Sequence, residues 1–165
     1  MLHHVSFNAR GPKNVARVLA EMLAGTIVRA PSPPFPIGSW FVCYGDSSGS
    51  FLEILPWSTV LDPDMKFGFS VDESMRPHSG AHVLMSTPHS IEVIEAIALR
   101  EGWRFELVDA RLFKVTKVWV ENAFLVEFLP PELAPAYLRT FGAVGLPSLD
   151  AKLRALESGA APAGD

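Results

Sequence analysis

The feature that most constrains this chain is an internal duplication that drives a carboxylate into an apolar strand twice. Phe51-Leu52-Glu53-Ile54-Leu55-Pro56 and Leu125-Val126-Glu127-Phe128-Leu129-Pro130 each hold one Glu in an apolar run closed by proline. An ionised Glu on the buried face of a strand costs several kcal/mol unless it is paired or bound to a metal. Each Glu also has an upstream counterpart, His4-Val5 in one half and His82-Val83 in the other. The histidines are 78 residues apart and the glutamates 74. One chain thus carries His and Glu twice, and two His with two Glu converging on a point make a divalent metal site. His3 directly precedes His4, and a one-residue slip of register would exchange their faces. Alternation with Ser6 and Asn8, and the parallel with His82-Val83, favour His4 as the ligand.

The duplication extends beyond these residues. From Leu2 to Asn8, Val5 and Phe7 point one way while His4, Ser6 and Asn8 point the other, the pattern of a strand between a core and a polar cleft. Pro12 opens a helix in which Val15, Val18, Leu19, Met22 and Leu23 recur at helical spacing, and Gly25 ends it. Strand-like runs follow at Thr26–Arg29, Gly38–Tyr44 and Ser50–Leu55. The second half repeats the order. Ala81–Ser86 reads as a strand, Thr87-Pro88 as the cap and first turn of a helix through Ile91, Ile94, Ile97 and Ala98, and Gly102 as its end. Trp103–Asp109, Leu112–Val120 and Ala123–Leu129 then supply three strands.

The expected fold class is therefore α+β, with tandem β-α-β-β-β modules over residues 1–56 and 80–130. Residues 57–79, polar and punctuated by Gly and Pro, read as a linker that covers a cleft. Residues 131–157 read as C-terminal helices, and the small-residue stretch 158–165 as a disordered tail.

Charge and hydropathy remove several function classes. A net charge of −4 offers no basic field for phosphate backbones, so no nucleic-acid partner is expected. No apolar run approaches the roughly 20 residues of a membrane span, and Met1-Leu2-His3-His4 does not open a signal peptide, so a cytoplasmic protein without membrane partners is expected. Cys43, the single cysteine, reads as a small core residue. His78 and His89 suit solvated or capping roles, and Trp40, Trp57, Trp103 and Trp119 core or rim positions. Trp57 and Arg76, beside or in the linker, are placed to touch a substrate. Arg10, Arg29 and Arg111 are the cations that would pair with the two glutamates in a metal-free protein.

Paired β-α-β-β-β modules, with His-Val in the first strand and Glu near the end of the fourth, resemble the vicinal oxygen chelate superfamily. That superfamily includes glyoxalase I, extradiol dioxygenases, methylmalonyl-CoA epimerase and the fosfomycin and bleomycin resistance proteins. The resemblance covers residues 2–130. It implies that the strands curl into cups around a metal cleft, with His4, Glu53, His82 and Glu127 as ligands to Ni, Zn, Mn, Co or Fe. This set is most similar to bacterial glyoxalase I, whereas extradiol dioxygenases use two His and only the last Glu. Leu19-Ala20-Glu21-Met22-Leu23-Ala24-Gly25 stands where glyoxalases carry a Phe-Tyr before Leu-Gly, and no segment matches their glutathione-binding residues.

Two carboxylates neutralise a divalent ion, and four protein ligands leave two of six octahedral positions for adjacent substrate oxygens. The resemblance to glyoxalase I makes Glu127 the catalytic base with Glu53 opposite it. The function expected is a metal-dependent lyase or isomerase that moves a proton next to a chelated carbonyl of a small-molecule substrate. An Fe(II) extradiol-type dioxygenase and a non-catalytic antibiotic-sequestering protein are the alternatives. Exposed strand edges and a half-covered cleft lead to a homodimer as the expected assembly.

Overall fold

The computed structural model describes residues 3–157 except 63, 67, 75–77 and 79. The expected tail at 158–165, Arg76 and the first two residues lie outside the described residues. In the first module β1 (His4–Ala9) is followed by α1 (Pro12–Leu23), β2 (Thr26–Arg29), β3 (Trp40–Cys43) and β4 (Phe51–Pro56). The linker folds into a short hairpin, β5 (Thr59–Leu61) and β6 (Phe69–Val71). The second module is β7 (His82–Ser86), α2 (Ile91–Arg100), β8 (Arg104–Asp109), β9 (Lys114–Val120) and β10 (Phe124–Leu129). Helices α3 (Ala134–Phe141) and α4 (Leu149–Glu157) follow, with a 3₁₀ turn at Leu146–Ser148. The two four-stranded sheets have the same topology, β1-β4-β3-β2 and β7-β10-β9-β8. In each, the first strand lies parallel to the last and the remaining neighbours are antiparallel.

Strand alternation sorts the residues as the sequence pattern requires. Phe7 and Ala9 of β1, Leu52 and Ile54 of β4, and Val126 and Phe128 of β10 enter one continuous core with the apolar face of α1. His4 and Ser6 remain on the other face. The modules meet through this core: the Phe7 and Phe124 rings stack with centroids 4.2 Å apart and planes 4° from parallel. Phe7→Ala is expected to cost about 3–5 kcal/mol, because the ring leaves a cavity that rigid sheets on both sides cannot close. Urea unfolding followed by fluorescence and circular dichroism checks this.

Long-range carboxylates finish both helices. The Glu121 carboxylate, in the turn between β9 and β10, accepts from the N–H of Arg10 (2.5 Å) and Gly11 (2.8 Å) at the start of α1. Glu132 accepts from the Ile91 N–H, 2.8 Å away, at the start of α2. Negative charge at a helix N-terminus satisfies free N–H groups and complements the helix dipole. Along their exposed flanks, Arg100 holds Glu21 through a bidentate pair at 2.9 and 2.7 Å, and Arg17 reaches Glu101 at 3.1 Å. The Arg100 hydrogen bonds hold the Glu21 carboxyl below the usual carboxylate range.

Several boundaries differ from the sequence reading. Helix α2 starts at Ile91, not at Thr87-Pro88, because the Thr87 hydroxyl donates to the Met22 carbonyl across the module boundary and accepts from the His89 N–H. The residue that ends α1 in the left-handed region is Ala24, with φ 53°. Gly25 is needed for a different reason: a Cβ there would lie 3.0 Å from the Cys43 carbonyl oxygen of β3. Cys43 itself is only half-buried.

Candidate metal centre

Glu53 occupies the position the sequence made suspicious. The parallel register of β1 and β4 sets Ser6 beside Glu53 and His4 beside Phe51, so Glu53, Ser6 and His4 share one face. That face lines a cavity of about 560 Å³, closed over by Thr59, Val60, Leu61 and Phe69 of the β5–β6 hairpin together with Phe35. The hairpin is tied down by Asn8, whose amide donates to the carbonyls of Pro56 (2.9 Å) and Thr59 (2.7 Å). Thr59, Val60, Leu61 and Phe69 of this stretch thus line the cavity from a hairpin that no Asn-Gly or Asp-Gly signal announces.

Under this cover Glu53 is only 4% exposed. Its Oε2 accepts a short hydrogen bond from the Ser6 hydroxyl, while its Oε1 is buried and has no hydrogen-bond partner among the described residues. One hydroxyl does not repay the desolvation of a carboxylate, and an orphaned buried oxygen of this kind calls for a cation. Among the described residues no guanidinium hydrogen-bonds to this oxygen: Arg10, a cation anticipated for this role, lies over the Trp57 ring at 4.2 Å. His4 stacks on Phe51 with centroids 4.8 Å apart, and Phe51 in turn touches Phe41, the residue opposite Glu53 in β3. The imidazole is thus held by an aromatic run while remaining exposed. Ser6, which holds Glu53, was legible in the sequence only as a cleft-facing residue.

The second module builds the matching pair. His82 Nε2 lies 3.7 Å from Glu127 Oε2, with the His82 side chain about half exposed and Glu127 mostly buried. Glu127 has a further neighbour that the sequence reading passed over: Lys117, directly opposite it in the β9–β10 register, places Nζ 3.5 Å from Glu127 Oε1. Counting back across the hairpin turn would have found it, since cross-strand partners share a face.

The donor set therefore suits a divalent ion in its chemistry, with two imidazoles, one carboxylate that is orphaned and one that is partnered by a movable ammonium. Of the four expected ligands, His82 and Glu127 lie 3.7 Å apart, while His4 and Glu53 share a strand face and line one cavity. Among the described residues no three His, Cys, Asp or Glu side chains gather in one chain. The other three histidines take structural partners: His3 Nδ1 meets the Ser48 carbonyl at 2.9 Å, His89 Nε2 the Glu21 carbonyl at 2.9 Å and His78 Nε2 the Asn122 carbonyl at 3.3 Å. Trp103 is core. No helix among the described residues is long and apolar enough to cross a membrane.

Two modules of this topology, in tandem, have a glyoxalase-like fold. Among solved structures the chain is similar to trypanothione-dependent glyoxalase I of Leishmania major, at 14% identity and TM-score 0.51, over 96% of this chain and 97% of that one. It is also similar to a glyoxalase family protein from Bacillus anthracis, at 16% identity and TM-score 0.50, over 78% and 92% of the two chains. The fosfomycin resistance protein FosX from Listeria monocytogenes, solved with Mn(II) and sulfate, matches at 8% identity and TM-score 0.50, over 78% and 86%. No family model matches the sequence. A search of curated proteins finds no significant relative.

Proposed function

We propose that this protein is a metal-dependent lyase or isomerase of the glyoxalase I kind, working at a site that two copies of the chain complete. His4 and Glu53 of one copy and His82 and Glu127 of the other would hold the ion. The observation that carries the reading is Glu53, a buried carboxylate with one oxygen unpartnered, facing the same cavity as an exposed imidazole. Its support from comparison is that a glyoxalase I and a Mn(II)-containing FosX share the fold. Assembly by two copies is favoured because, among the described residues, no third His, Cys, Asp or Glu joins either His–Glu pair within a chain.

A divalent ion, when bound, supplies Lewis-acid polarisation of adjacent substrate oxygens. The protein's own groups do the rest. Glu127 takes the substrate C–H proton on a carboxylate oxygen and can return it at the neighbouring carbon. Ser6 fixes the rotamer of Glu53 from one side, leaving Oε1 for the ion. The β5–β6 hairpin, rooted on Asn8, lines the cavity, and Leu55, Phe35 and Phe69 give it apolar walls suited to a partly hydrophobic substrate.

A metal-free sequestering protein is the second reading, and Lys117 is what favours it, because an ammonium beside Glu127 can do the neutralising an ion would do. Elemental analysis of protein purified without a metal-affinity step separates the two. About one divalent ion per chain is expected, and Glu53→Gln should weaken its affinity by about tenfold, since one charge-assisted ligand becomes neutral. Wild-type protein that takes up no Ni²⁺, Co²⁺, Mn²⁺, Zn²⁺ or Fe²⁺, yet binds an aromatic ligand tightly, would establish the sequestering reading instead.

A further inference from the structure

Lys117 leaves the proposed site with one charge too many. Two carboxylates and a divalent ion cancel, and neutral imidazoles add nothing, so the ammonium opposite Glu127 stands as a surplus positive charge. Its other cross-strand neighbour, Glu106 in β8, is already engaged by the Arg104 guanidinium, with Nε at 2.7 Å. Lys117 is also held in the cleft by its strand. Thr116 and Val118 on either side are fully buried on the opposite face, the Thr116 hydroxyl donating to the Phe128 carbonyl, so the lysine keeps to the face that carries Glu127. Its side chain is 29% exposed, so the ammonium is partly desolvated and gains from an anionic partner once Glu127 turns to an ion.

We propose that Lys117 is the specificity-determining residue of the site. Its ammonium selects substrates that carry an acid group, carboxylate or phosphonate, beside the pair of chelating oxygens. The inference rests on the metal-site reading above. Cross-strand partners stand about 5 Å apart at Cβ, which puts the acid group on the Glu127 side of the chelating atoms. The same charge works against the ion: Lys117 competes with it for Glu127, and the bound anion relieves that competition. Metal and anionic ligand are therefore expected to bind with positive coupling, which a merely structural lysine would not produce.

Three proteins test this: wild type, Lys117→Met, which keeps the length of the side chain without its charge, and Lys117→Arg, which keeps the charge. Metal affinity is read by competition with a chromophoric chelator, and ligand binding by calorimetry on the Mn²⁺-loaded protein. The ligands are phosphonoformate, an anionic chelator with an adjoining acid, and acetohydroxamate, a small chelator without one. Lys117→Met should bind Mn²⁺ about tenfold more tightly and phosphonoformate at least about tenfold more weakly, with acetohydroxamate changed less than about threefold. Lys117→Arg should behave as wild type toward phosphonoformate. Wild type that binds no metal removes the metal-site reading and this inference with it. Wild type that binds metal normally, with Lys117→Met unchanged toward both Mn²⁺ and phosphonoformate or equally weakened toward both chelators, overturns the role of Lys117 alone.

Discussion

Two inactive variants of this protein are expected to restore each other when mixed. The first carries His4→Ala with Glu53→Gln and lacks the first module's pair. The second carries His82→Ala with Glu127→Gln and lacks the other. Alone, each dimer has two sites that both miss half their ligands. In a mixed dimer, one site receives the intact first module of one chain and the intact second module of its partner, while the other site receives both defects. Random reassortment makes half the dimers mixed, so about a quarter of all sites recover, from a background near zero. Metal content and substrate proton exchange should both return to about that fraction of wild type. A site built within one chain would give no recovery, because a mixed dimer then contains only the same two broken sites. Subunit exchange is confirmed in the same samples by native mass spectrometry with one chain isotopically labelled.

Glu127→Gln is the second variant of large expected effect. The amide preserves shape and one oxygen donor but removes the basicity, so substrate proton abstraction should fall at least about 100-fold, the scale of a general base's contribution. Binding of substrate should weaken much less. The assay is exchange of a substrate C–H proton for deuterium in a panel of 2-oxoaldehyde thiohemiacetals and 2-methyl acyl thioesters, followed by NMR with each metal in turn. Exchange that persists in Glu127→Gln at the wild-type rate would remove Glu127 as base. Glu53→Gln makes a useful contrast, because there metal affinity should fall before turnover does.

The architecture was legible because its signals are local. Alternation over Val5, Phe7 and Ala9 against His4, Ser6 and Asn8 is a two-residue period that any segment displays before it meets another. The helical spacing of Val15, Val18, Leu19 and Met22 is legible for the same reason. The near-constant interval between matching landmarks then revealed the tandem repeat without a single long-range contact. Where local signals were weak, the reading was less complete. The β5–β6 hairpin has three-residue strands and no turn signature, so only its packing over the first cup makes it a structure. Thr87 looked like a helix cap by type, and its hydroxyl went instead to a carbonyl 65 residues away.

The sequence by itself determined that Glu53 and Glu127 would sit on strands whose environment opposes a bare charge, because residue type and period settle which face a side chain takes. What neutralises each charge was a tertiary decision. Among the described residues it is Ser6 that meets Glu53, because the parallel register of β1 and β4 sets those two residues side by side. Lys117 meets Glu127, because the β9–β10 register does the same there. The division of the four expected ligands into two pairs was likewise invisible in the chain's order of residues. It follows from the two sheets packing through their Phe7 and Phe124 faces, the faces opposite those that carry His4 and Glu127. Side-chain periodicity fixes the face within a strand, but only the packing of one module on the other fixes which faces meet.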